Sequence, residues 1–201
     1  MTWQQRFARL VTNVVVRVPA LWPVLRRPLT AMFDRIAPQW DAMMSHERLV
    51  AFEAGLERVP VAPRTALDLG TGTGDGAIAI ARRWPGADVL GVDVSAGMIA
   101  EARRKAPELR FEIADARRLD VPDGAFDLVT MNNVIPFFDE LGRIVAPGGH
   151  LLVAFSRGDE TPIYVAPGPL LRGLRRVGFE PVEEVAAGPG TALLALRRSE
   201  R

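Results

Sequence analysis

From Thr65 onward, short runs of β-branched and apolar residues alternate with segments whose apolar positions recur every three to four residues. That alternation is the pattern of a βαβ chain with a parallel sheet. Thr65–Leu69 reads as a buried strand and Asp75–Trp84 as a helix closed by Pro85-Gly86. Ala87–Val92 reads as the second strand, after which Ser95 caps a helix that runs to Lys105, short of Pro107. Arg110–Ile113 and Phe126–Met131 give the third and fourth strands, with a short helix around Phe138–Val145. Pro147-Gly148-Gly149 then turns the chain into a fifth strand, His150–Phe155. A last helix over Leu170–Val177 ends at Gly178. Phe179–Ala186 and Thr191–Leu196, joined around Gly188-Pro189-Gly190, predict a terminal hairpin.

Residues 1 to 60 have a different texture, helical spacing interrupted by Pro19, Pro23, Pro28, Pro38 and Pro60. Trp3, Phe7, Leu10, Val11, Val14, Val15 and Val18 recur at helical spacing, with Arg6, Arg9, Asn13 and Arg17 on the opposite face. The first acidic residue is Asp34, whereas Arg6, Arg9, Arg17, Arg26 and Arg27 precede it. A stripe of this kind packs on the domain core or on a second subunit. Alternatively, residues 3–18 lie on an anionic membrane surface, arginines toward the head groups. Asn13, Arg17, Pro19 and Pro23 break the most apolar stretch, which argues against a transmembrane span and against a cleaved signal peptide. The expected location is cytoplasmic, with membrane association as the alternative.

Composition removes several chemistries. The chain of 201 residues has no cysteine, which excludes a disulfide framework, a thiolate nucleophile and a zinc–thiolate site. His46 and His150, its two histidines, leave little for a metal cluster, and no metal is expected. The net charge of +1 gives no sign of a nucleic-acid partner, and basic residues interleaved with aromatics are lacking beyond the N-terminal segment.

The informative chemistry is the turn Asp68-Leu69-Gly70-Thr71-Gly72-Thr73-Gly74 between the first strand and its helix. Glycines there let backbone approach a ligand closely, and the helix start offers free N–H groups and a positive dipole end. Gly72-Thr73-Gly74-Asp75-Gly76-Ala77 also satisfies the dinucleotide pattern with its permitted terminal alanine. Asp93, ending the second strand, suits ribose hydroxyls in either case, so the glycines alone allow two cofactors. Asp68 would repel a pyrophosphate but suits an ammonium group. Ala114-Asp115-Ala116 follows the third strand, where a carboxylate suits the adenine amino group, and the chain closes with a hairpin rather than a second mononucleotide-binding half.

With those residues in place, the stretch from about Thr65 to Leu196 resembles the seven-stranded class I S-adenosylmethionine-dependent methyltransferases. The resemblance implies an α/β, Rossmann-like sheet with a terminal β-hairpin, preceded by N-terminal helices. It divides the chain into a helical lid segment, 1–60, and a cofactor-binding domain, 61–201. It implies Asp68, Gly70, Gly72 and Gly74 at the methionine end of S-adenosyl-L-methionine, Asp93 at the ribose, and Val94 and Met98 beside the adenine. Asp115 and Ala116 would meet the adenine edge, and Asn132 would open the loop near the sulfonium. Phe33-Asp34-Arg35-Ile36-Ala37-Pro38-Gln39-Trp40-Asp41 is similar to the segment with which the ubiquinone/menaquinone C-methyltransferase family closes an aromatic-Asp pair over the cofactor. Trp40 would be that aromatic.

Methyl transfer from a sulfonium asks the protein mainly for alignment and exclusion of water, with a base only where the acceptor must first lose a proton. His46 and Tyr164 are the candidates for such a base, each balanced by a reading as surface or covering residue; His150 reads as structural. Between the fourth strand and Pro147 the chain is shorter than the quinone family usually has. The connection from Ser156 to Pro169 also lacks the usual helical insertion. The acceptor pocket is therefore expected to be open or covered by the N-terminal helices. The expected reaction is methyl transfer to a small-molecule or lipid acceptor, a quinone precursor or phospholipid head group leading. A nicotinamide-dependent oxidoreductase and a non-catalytic cofactor-binding module are the alternatives. Asn132-Asn133-Val134-Ile135, standing where Asn-Pro-Pro-aromatic would mark a nucleic-acid methylase, argues against that class.

Overall fold

A computed structural model of the chain describes residues 2–44 and 46–199, without the side chain of His46. Its centre is a seven-stranded sheet in the order β3-β2-β1-β4-β5-β7-β6. The strands are β1 Thr65–Leu69, β2 Asp88–Asp93, β3 Arg110–Ile113, β4 Phe126–Asn132, β5 Val145–Phe155, β6 Phe179–Ala187 and β7 Gly190–Arg197. The first five run parallel, and β7 inserts antiparallel between β5 and β6. Three helices fill the connections of the parallel part, α5 Asp75–Arg83, α6 Ala96–Lys105 and α7 Phe138–Ile144. α8 Pro167–Arg176 precedes the hairpin.

Alternation along the buried strands decides which residues face which helical layer. Leu67, Leu69, Val129, Met131, Leu151 and Val153 join Leu141, Ile144, Leu170 and Leu174 in one core. Ala66, Leu128, Leu152 and Ala154 point the other way, to Ala77, Ile80, Ile99 and Ala102. Phe52 and Leu56 of α4 Val50–Leu56 lie in that second core too. So α4 packs as part of the sheet domain, although the sequence groups residues 1–60 as one lid segment.

Three further helices precede α4: α1 Trp3–Arg17, α2 Trp22–Ile36 and α3 Trp40–Met43. Thr2 and Gln5 form a capping box at the start of α1. Ala8, Val11, Val15, Trp22 and Leu29 form a third core with Ile135 and Phe137. The expected apolar stripe is thus divided. Val11 and Val15 are buried on the domain, whereas Trp3, Leu10 and Val18 stay exposed. Among the described residues no helix is long and apolar enough to cross a membrane.

The strands follow the hydrophobic pattern closely, with one correction. The fifth strand begins at Val145, not His150, because Phe126 pairs with Val145 and Leu128 with His150. Pro147-Gly148-Gly149 is therefore an irregularity within the strand, with Gly148 at φ +79°.

Candidate cofactor and acceptor site

The order of the sheet locates the site before any side chain does. Chain progression reverses between β1 and β4, and ligands of open α/β sheets bind beyond the carboxyl ends of the strands at such a switch. β1 delivers Asp68 and the glycine turn to that point, β4 delivers Asn132, and β2, next to β1, delivers Asp93.

Within the turn the glycines do different jobs. Gly70 adopts φ +69°, and a Cβ there would lie 2.4 Å from Val134 Cγ2, so the loop after β4 closes directly on it. Gly72, at φ +55°, has nothing within 4 Å of where a Cβ would be. Its outer side is the open one. Gly74 takes the left-handed conformation that starts α5.

Asp68 supports the turn from beneath. Its carboxylate is 2% exposed and accepts hydrogen bonds from Thr71 Oγ1 (2.6 Å) and Thr130 Oγ1 (2.8 Å). It lies so close under α5 that a Cβ on Gly76 would meet Asp68 Oδ2 at 2.5 Å. Burial pushes its pKa up to about 6, against the pull of Thr71, Thr130 and the Ala77 amide, and the neighbouring Asp93 charge adds to the rise. Asp93 accepts from Gly72 N (3.0 Å) and Ser95 N (2.8 Å), fastening the turn to the start of α6. Burial raises its pKa as well, opposed by the backbone amides of Ser95, Gly72 and Val94.

Asn132 sits at the end of β4 with its amide nitrogen 3.4 Å from the Arg48 carbonyl, while its buried Oδ1 has no partner. An unpaired buried acceptor at the strand ends suits a ligand that carries a donor. The neighbouring Asn133, at φ +60°, is spent on Ser156, whose backbone N–H it accepts at 2.9 Å.

The N-terminal helices reach the same rim through charges. Asp34 Oδ1 accepts from Ser95 Oγ (2.6 Å) and Gly97 N (2.9 Å), capping α6 from α2. Asp41, beside Trp40, accepts from Thr73 Oγ1 (2.7 Å) and pairs with Lys105 Nζ (2.5 Å). Lys105 also pairs with Asp75 (3.0 Å), to which Arg48 forms a further ion pair. Burial works to raise the Asp41 pKa, but Lys105, Thr73 and Arg48 together hold it below the ordinary value. Trp40 itself packs edge-on against Phe33, ring centres 5.8 Å apart.

Asp115, expected at the adenine edge, is instead engaged by α2. Trp22 Nε1 donates to Oδ1 (2.8 Å) and Arg26 Nη1 to Oδ2 (2.5 Å). Ala116 packs against the Trp22 cluster, Met98 is 2% exposed inside the core, and Val94 is half-buried. These three are placed by packing.

Tyr164 stacks edge-on against Phe155 at the end of β5 (4.9 Å) with the Arg9 guanidinium 5.7 Å over its ring. Burial first, then the charges of Asp159 and Glu184, raise its pKa, with Arg9 opposing. His150 lies at the other end of β5, paired with Leu196, and burial lowers its pKa. The His46 side chain lies outside the described residues. Among the described residues no cluster suited to a metal ion occurs.

Sequence reasoning missed Trp22, Arg26, Arg48, Asp75 and Lys105. One signal was available: Lys105 is the only lysine in the chain. The other ties join residues far apart in sequence and leave no local mark.

Residues 66–149 match the methyltransferase domain family. The chain is 43% identical over 141 residues to a demethylmenaquinone methyltransferase of Thermus thermophilus, an alignment covering 61% of this chain and 63% of that protein. It is 37% identical over 154 residues to a trans-aconitate 2-methyltransferase of Methylobacterium nodulans, covering 71% and 57%. The fold superposes on an S-adenosylmethionine-dependent methyltransferase from Aquifex aeolicus with a TM-score of 0.67 at 18% identity, over 80% of this chain and 98% of that one. Strand order and matched domain are thus those of the class I S-adenosylmethionine-dependent methyltransferases. The sequence similarity extends to the menaquinone methyltransferase group. The chain spans about three-fifths of the length of these curated relatives.

Proposed function

We propose that the chain transfers a methyl group from S-adenosylmethionine to a small or lipophilic acceptor, with a quinone precursor or a phospholipid head group as the leading classes. The observation that carries the reading is the open backbone at Gly72, tied to Asp93 at the sheet's switch point, with the unpaired Oδ1 of Asn132 at the end of the adjoining β4. Bound there, the cofactor supplies an already activated methyl group. Asp93 would accept from the ribose hydroxyls, and Asn132 Oδ1 from the ligand's ammonium group. Asp68 would hold the turn rigid from below, and its negative charge would act through the Gly70–Gly72 backbone. The 1–60 segment, as a proposed lid, would exclude water through the Asp41–Lys105–Thr73 tie.

On the acceptor side, α1 covers the short connection after β5. Arg9 donates to the carbonyls of Asp159 (2.6 Å), Thr161 (2.5 Å) and Pro162 (3.2 Å), beside Tyr164. A Tyr164 with a raised pKa is a poor base at neutral pH, so it would orient an acceptor rather than deprotonate it. An acceptor that is already nucleophilic, or that ionises readily, fits this site. The relatives' names include both a quinone precursor and a small tricarboxylic acid. The α1 cover over the connection after β5, packed through Val11 and Val15 on Ile135 and Phe137, would shield an acceptor there from water, which favours the lipophilic class.

Calorimetry with S-adenosylmethionine tests the cofactor half. Asp93→Ala should weaken binding by about 1.5–3 kcal/mol, the worth of hydrogen bonds to a charged group, or roughly ten- to a hundredfold. Unchanged affinity would sink the assignment. Transfer of label from the methyl-labelled cofactor to quinone, phospholipid and small-acid pools tests the acceptor half. Cofactor binding without transfer to any pool would favour a non-catalytic module.

A further inference from the structure

α1 and α2 leave between them an apolar groove of about 200 Å³, lined by Phe7, Leu10, Val14, Leu21, Val24 and Leu25. Large side chains stand open along it, Leu10 at 61% and Val24 at 71% exposure, with Trp3 at 74% stacked on Phe7 at 5.8 Å. Scattered exposed apolar residues are ordinary, but a contiguous set on two adjacent helices marks an interaction surface.

The charges around it are of one sign. Residues on a helix advance by about 100°, which places Arg6, Arg17 and Leu10 within an arc of roughly 40° and Trp3, Val14 and Phe7 in the next roughly 60°. The buried residues of α1, Ala8, Val11, Thr12 and Val15, occupy the arc beyond these. The arginines therefore border the exposed apolar strip directly rather than standing opposite it, as the whole-stripe pattern predicts. On α2, Arg27 stands within about 60° of Val24 on the same count. Arg6, Arg17 and Arg27 are exposed and make no hydrogen bond, ion pair or ring contact among the described residues. Arg9 and Arg26, the other two N-terminal arginines, are committed to the domain. No acidic residue lines the groove, and the nearest acid of the segment, Asp34, is turned away to cap α6.

We infer that the α1–α2 face seats this protein on an anionic lipid bilayer surface, with Trp3, Leu10 and Val24 entering the interface and Arg6, Arg17 and Arg27 meeting the head groups. A neutral protein partner would account for the apolar strip but not for three arginines left without a partner along its edges. Since no described helix spans a bilayer, the attachment is peripheral and reversible. The inference extends the lipophilic-acceptor reading, and it is measured without turnover, so either can fail alone.

The test is flotation of the full chain with vesicles of phosphatidylcholine alone and of phosphatidylcholine mixed equally with phosphatidylglycerol. The wild type should float with the mixed vesicles, and rising salt should release it. Changing Arg6, Arg17 and Arg27 together to Gln should cost roughly fivefold in partitioning for each arginine removed. Leu10→Asp combined with Val24→Asp should abolish flotation while leaving S-adenosylmethionine affinity, and hence the fold, intact. A wild type that stays unbound would overturn the inference, as would a triple-Gln variant that floats like the wild type. So would a dimer in sedimentation velocity that Leu10→Asp dissolves, with vesicles ignored, because the face would then belong to a second copy.

Discussion

The sheet domain and the N-terminal helices hold themselves together by different means. In the domain, backbone ladders and two apolar cores hold the strands, and the ligand-facing turn is shaped from its own and the neighbouring strand: Asp68 under Thr71 and Gly76, Asp93 of β2 against Gly72. α1 and α2 bury one small core, and the polar ties of α1, α2 and α3 to the domain run through charged groups: Asp34 to α6, Asp41 to Lys105, Arg26 to Asp115, Arg9 to the carbonyls after β5. The first kind of construction is rigid and, being buried, little screened by salt. The second depends on salt, pH and whatever competes for the same carboxylates, which is what a cover that must admit a ligand requires.

The sharpest break in that contrast falls inside the glycine turn. Gly70→Ala forces a left-handed alanine, about 1–3 kcal/mol, and drives its methyl into Val134, which overpacking experience puts at about 1–3 kcal/mol more. Gly72→Ala carries only the backbone term, since nothing lies within 4 Å of its Cβ. Thermal melts should therefore show Gly70→Ala several degrees below Gly72→Ala. Calorimetry should show Gly72→Ala folded yet impaired in cofactor binding, because its methyl occupies the open approach. Equal melting temperatures would mean that the β4 loop gives way and the turn is not closed as described.

Asp68 gives the next largest effect. Burial raises its folded pKa from 3.8 to about 6, so the folded state keeps a proton that the unfolded chain releases. Stability contributed by this group is therefore greatest below the unfolded value and falls as pH rises to about 6. At 1.36 kcal/mol per pK unit the fall approaches about 3 kcal/mol. Asp68→Asn carries no such charge, so the difference in unfolding free energy between wild type and variant should change between pH 4 and 6 and level off above (about these limits, by the linkage slope). A difference that stays flat would show that Asp68 is not buried as an acid.

How much of this was legible beforehand divides along the same line. The strands and the helices of the domain follow from period-two and period-3.6 patterns, and Ser95 declares itself as a cap. The fifth strand escaped at its start because Pro147-Gly148-Gly149 reads as a turn, while Phe126 pairing with Val145 is a long-range fact. The placement of Asp68, Gly70, Gly72 and Gly74 at one strand end was legible because a single strand–turn–helix holds them, and that of Asp93 because it closes the next strand. Asp115 was identifiable only as a position: nothing local says that Trp22 and Arg26 come from about ninety residues away to occupy it. The division of the α1 stripe into a docked and an open half is likewise decided by where Ile135 and Phe137 lie, not by the stripe's own spacing.

The Arg26–Asp115 pair measures how far the two constructions are independent. Both side chains keep contact with solvent, 37% and 24% exposed, so the pair adds no more than about 1 kcal/mol. Arg26→Gln should leave the global melt nearly unchanged, since the sheet cores do not depend on it. Hydrogen exchange should nonetheless quicken across Trp22–Ile36, by up to roughly fivefold for a loss of that size, while Thr65–Leu69 keeps its protection. Trp22 would still donate to Asp115, which is why the effect stays small. Exchange that quickens equally in β1 would mean that helices and sheet open as one unit. The charged ties would then be part of the fold rather than a fastening on its surface.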